Sequence, residues 1–98
     1  MKNVTVKKVL YNEDHNEVAF SKGLLLIDDV GPLVNWTVSL NKVQDISFFA
    51  DLQKERKHLH LSIIGAEGKT FQGTAAVDLI PDQRTVLMVA RGELKQVR

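Results

Sequence analysis

Val34-Asn35-Trp36-Thr37-Val38-Ser39-Leu40 alternates apolar and polar side chains without a break. Successive side chains of a strand leave on opposite faces. Val34, Trp36, Val38 and Leu40 therefore share one buried face, and Asn35, Thr37 and Ser39 a wet one. Thr70 to Leu79 repeats the pattern: Phe71, Ala75, Val77 and Leu79 keep one phase, interrupted by Gly73, with Thr70, Gln72, Thr74 and Asp78 opposite. One dry and one wet face is the mark of an antiparallel sheet. The expected fold is mainly β, α+β at the margin, a small antiparallel barrel or curved sheet of about seven strands.

Working outward, Asn3 to Tyr11 reads as a strand whose apolar phase switches at Lys7-Lys8, as a β-bulge would make it. Asn12 to Asn16 is a polar turn and Glu17 to Phe20 a second strand. Ser21-Lys22-Gly23 reads as a bulge or break, and Leu24 to Ile27 as a short strand covered on both faces. Asp28-Asp29-Val30-Gly31-Pro32 is the strongest turn signal. Leu59, Leu61 and Ile63 alternate with His58, His60 and Ser62, Gly65 to Lys69 is a hairpin loop, and Ile80 to Gln83 a turn. Thr85 to Ala90 is apolar on both phases, as a central strand would be, and Leu94 and Val97 belong to a final short strand.

Between Asn41 and Lys57 there is neither Gly nor Pro. Val43, Ile46, Phe49 and Ala50 fit one helical face, with Ser39 or Asn41 placed to cap it and Lys54, Arg56 and Lys57 near the negative pole of its dipole. Ile46, Phe48, Ala50 and Leu52 also alternate as a strand would. Composition favours one helix near residues 41–54, covering Trp36 against the sheet.

The 98 residues are expected to form a single globular domain over 1–98. A net charge of +1 singles out neither nucleic acid nor membrane as partner. The absence of cysteine removes disulfides, thiolate nucleophiles and Cys-based zinc sites. Met1 to Thr5 lacks the apolar core of a signal peptide, and no apolar run is long enough to span a bilayer, so a cytoplasmic protein with no membrane partner is expected.

His58-x-His60 is the one spacing with a specific chemical meaning, because two imidazoles on the same side of a strand can share a metal. Two ligands do not define a site, and His15, Glu17, Asp28, Asp29 or Asp78 would have to complete it. The simpler alternative is a polar sheet face. Lys54, Arg56 and Lys57 beside His58 form a basic turn, a candidate partner surface together with Phe48. Few aromatics are free to stack bases there, which argues against nucleic acid without removing it. Asp28-Asp29 reads more simply as a turn than as an acid pair. Gly65 to Thr70 lacks the glycine spacing of a phosphate loop and joins two strands, so no cofactor is expected.

A non-enzymatic binding or assembly module is therefore the leading expectation, acting on a protein partner or on itself as a homodimer. Phe48-Phe49 and Leu24-Leu25-Leu26-Ile27 are hard to hide in so small a core. A nucleic-acid-binding module on the 54–58 turn, and a small metal-dependent enzyme on His58 and His60, are the alternatives.

Overall fold

The computed structural model describes residues 2–12, 16–29, 35–82 and 84–97. Val34, the Val30-Gly31-Pro32 turn, His15 with the centre of the 12–16 turn, and Gln83 lie outside the described residues.

The order is β1 (Lys2–Tyr11), β2 (Asn16–Glu17), β3 (Lys22–Asp28), β4 (Asn35–Asn41), the helix α1 (Ile46–Glu55), β5 (His58–Gly65), β6 (Thr70–Leu79), β7 (Val86–Ala90) and β8 (Lys95–Gln96). Strands pair antiparallel in the order β1-β3-β4-β7-β6-β5, and β5 returns to β1, so six strands close into a barrel. The two short strands extend this wall, β2 along the end of β1 and β8 along the start of β6. Closure removes the long edges on which an open sheet would aggregate.

The alternations face as the sequence indicates. Trp36, Val38 and Leu40 of β4, Leu59, Leu61 and Ile63 of β5, and Phe71, Ala75 and Val77 of β6 all point into one core. The phase switch at Lys7-Lys8 is a register shift between Val6 and Lys8 against β5, and it returns Val9 to the interior. The helix joins the end of β4 to the start of β5 and closes that end of the barrel. Phe49 is buried, Phe48 stacks on Tyr11 at 4.9 Å, and the Gln53 amide donates to the Asp78 carbonyl at 2.8 Å.

Several expectations need correction. The 41–57 segment is the helix and not the strand, but it starts at Ile46 behind Asp45, not behind Ser39 or Asn41. The reason is that Lys42 takes φ 54°, outside the right-handed helical region, so no helix can run through it from Ser39 or Asn41, and the chain is then held by Val43 N–H on the Arg84 carbonyl and Gln44 N–H on the Ala19 carbonyl. Glu17 to Phe20 is not a full strand, since pairing stops at Glu17 and Val18 makes a single bond to the Val9 carbonyl.

Gly23 is no break. It lies within β3, where a Cβ would stand 2.8 Å from a Leu40 methyl and 2.9 Å from Val6. Leu79 leaves the core phase because the register against β7 shifts between Val77 and Leu79, and it ends 53% exposed. Trp36 is buried at 1%, but the cover that holds it is β6 and the turn after β7, not the 41–54 segment. Its ring lies over Gly73 and its Nε1 donates to the Gly92 carbonyl at 3.0 Å. Leu24 to Ile27 is covered on one face only: Leu25 is fully buried, whereas Leu24 points outward at 36% exposure.

Candidate functional site

That last correction locates the site. A closed barrel has one interior, so a strand apolar on both phases must carry apolar side chains on the outside. Both β3 and β7 do so, and β4 runs between them. The register places Leu24 beside Ser39 and Ser39 beside Leu87 in one outer row. In the next row Leu26 stands beside Thr37, Thr37 beside Val89, and Val89 beside Ala76 of β6. Between the two rows, Leu25, Val38 and Met88 pair in line and point inward, fully buried. None of the seven outer side chains is charged. The outer surface of β1 and β5 differs, carrying Lys7, Lys8, His58 and His60, all exposed, with Lys8 3.9 Å from Glu17.

Charge begins at the ends of this face. At the helix end Lys22 stands beside Asn41, and Thr85 Oγ1 lies 3.3 Å from Asn41 Oδ1. Lys22, Lys42 and Arg84 share an open hollow of about 680 Å³ with Ser21, Asn41, Asp82 and Thr85. Its floor is tied together by Ser21 N–H donating to the Asn41 carbonyl at 3.0 Å and Val43 N–H to the Arg84 carbonyl at 2.8 Å. Asp82 accepts the N–H groups of Arg84 and Thr85 at 2.7 and 2.8 Å, and the Arg84 bond above all holds its carboxyl below the usual carboxylate value. Among the described residues Lys22, Lys42 and Arg84 enter no ion pair. At the opposite end of β3, Asp28 stands beside Asn35 and Asp29 follows it.

His58 and His60 do share the outward face of β5, and both are exposed. His60 Nδ1 lies 3.2 Å from Thr74 Oγ1. Among the described residues no three His, Asp or Glu side chains gather into a metal-holding group. Lys54, Arg56 and Lys57 are exposed on the last helical turn and just past it, with Lys57 paired to Glu55 at 3.0 Å. Phe48 is half-buried between Tyr11 and Phe49, at 4.9 and 5.2 Å between ring centres. Of these residues His58 alone adjoins the uncharged face, standing beside Ala76 at the β6 end of its second row.

No protein family, curated protein or solved structure matches the chain. Among the described residues no helix is long and apolar enough to cross a membrane.

The outer face has a signal in the sequence. Leu24-Leu25-Leu26-Ile27 and Val86-Leu87-Met88-Val89-Ala90 suit strands covered on both sides. In a closed barrel the same runs mark an outer apolar surface, with Leu24 exposed and Leu26, Leu87 and Val89 half-buried among their neighbours. The basic end is less legible, because Lys22, Lys42 and Arg84 are far apart in the chain and meet only through the pairings of β3, β4 and β7.

Proposed function

We propose that the protein is a non-enzymatic, cytoplasmic binding and assembly module that docks a protein partner on the outer face of β3, β4 and β7. One observation carries the reading: the register sets Leu24, Leu26, Thr37, Ser39, Leu87 and Val89 side by side without a charge. An apolar centre with charges confined to its ends has the anatomy of a protein interface. Apolar surface rimmed by charge is where proteins commonly contact one another. The cation-bearing hollow at one end gives the docked surface an orientation, since charged rims set register and association rate more than affinity.

Site-specific photo-cross-linking in the cells that make the protein tests this. A photoreactive residue at Leu87 is expected to give one discrete cross-linked product, and the same residue at Lys54 none. A product from Lys54 and none from Leu87 would move the partner surface to the basic turn of 54–57 and overturn the reading. Salt-dependent binding of an oligonucleotide, abolished by removing Lys54, Arg56 and Lys57, would favour the nucleic-acid alternative instead.

A further inference from the structure

We propose that the occupant of the outer face is a second copy of this chain, related by a two-fold axis that crosses the strands at the level of Leu25, Val38 and Met88. The inference rests on the docking reading above and supplies its partner.

Two identical sheets packed face to face can be related by a two-fold along the strands or across them. An axis along the strands sets every row against itself with the strand order reversed, so the end that carries Lys22, Lys42 and Arg84 confronts the same cationic end of the partner. An axis across the strands reverses the rows. Lys22 then meets the partner's Asp28, and Asn41 meets the partner's Asn35. The charge pattern of β3, a lysine at its start and an aspartate at its end, selects the second arrangement.

The rows between agree with that choice. Leu24 meets the partner's Leu26, Ser39 the partner's Thr37, and Leu87 the partner's Val89. Leucine falls on leucine, hydroxyl on hydroxyl and β7 aliphatic on β7 aliphatic, because Leu25, Val38 and Met88 pair in one straight line and the rows flank it equally. Arg91, just past β7, comes over the partner's Asp82–Thr85 turn. Sheet twist inclines packed strand sets by about 30°, so the two central rows carry the contact and the charges guide its rim. Among the described residues Lys22 enters no ion pair, and this arrangement gives it one.

Sedimentation equilibrium on the full chain, with far-UV circular dichroism to confirm folding, provides the test. The wild type is expected at twice the 11.0 kDa chain mass. Lys22→Glu alone and Asp28→Lys alone should each weaken the dimer by about tenfold, since the two-fold counts every rim pair twice. An equimolar mixture of the two variants should recover wild-type affinity, because each mismatched rim then faces its complement. Lys22→Gln, which tests the same pair without introducing repulsion, should fall between wild type and Lys22→Glu.

A dimer indifferent to these charges but dissociated by Leu87→Arg would overturn the two-fold arrangement and leave the face standing. A dimer indifferent to Leu87→Arg as well would overturn both. A monomeric wild type would overturn self-docking, and a Leu87 cross-link of some other mass would then assign the face to a different protein.

Discussion

Gly73 lets the Trp36 ring lie against the backbone of β6. A Cβ on residue 73 would stand 2.6 Å from the indole Cζ2 and 3.3 Å from the Glu93 carbonyl oxygen. Gly73→Ala should therefore destabilise the fold by about 1–3 kcal/mol in a denaturant titration, the range for overpacking a filled core. Little or no loss would mean that the ring does not lie there.

Asp82 gives a pH dependence of known sign. Its folded value is depressed by the Arg84 and Thr85 donors, so its contribution is complete above the ordinary carboxylate value and is lost as pH falls through the folded one. The stability difference between wild type and Asp82→Asn should narrow as pH is lowered below about 4, with wild type more stable at neutral pH. A difference that is the same at both ends of that range would contradict the hydrogen-bonded turn. His58 and His60 sit on an exposed sheet surface, so replacing both with Gln should change stability by about 0.5 kcal/mol or less. Stoichiometric metal that survives dialysis and disappears in the double variant would instead restore the metal reading.

At the scale of elements, the helix ends on a strained residue. Arg56 adopts φ 57° while its N–H donates to Gln53 and the N–H of Lys57 to Leu52, the pattern of a helix terminus that usually holds glycine. Arg56→Gly should raise the unfolding free energy by about 1 kcal/mol, the left-handed penalty that an L side chain bears there. A lower melting temperature would show that the Arg56 side chain matters more than its backbone.

What the sequence made legible follows from periodicity. Strands with a clear two-residue alternation, at Trp36, Leu61 and Phe71, fell on the expected face, and the Lys7-Lys8 phase switch marked a real bulge. The start of the helix was hidden because it depends on Lys42 turning to a left-handed φ after β4, which no residue preference at that position announces. The outward turn of Leu79 depends on a bulge that no local pattern announces. The outer face is present in the composition of β3 and β7, but an all-apolar strand looks the same whether one or both of its faces are covered. Which side of an all-apolar strand is covered depends on whether the sheet closes.

Among the described residues one small interior holds seventeen buried apolar side chains and no buried polar one. Specificity of contact must then come from outside the core. The uncharged rows of β3, β4 and β7, bounded by Lys22 at one end and Asp28 at the other, are where the surface is patterned enough to supply it. Leu87→Arg sets a charge in the middle of those rows. As a surface change it should cost the isolated fold about 0.5 kcal/mol or less. The most direct measurement is the sedimented mass of the wild type beside Leu87→Arg at matched concentration. The expected result is a wild-type dimer and a folded Leu87→Arg monomer; identical masses for the two proteins would contradict it.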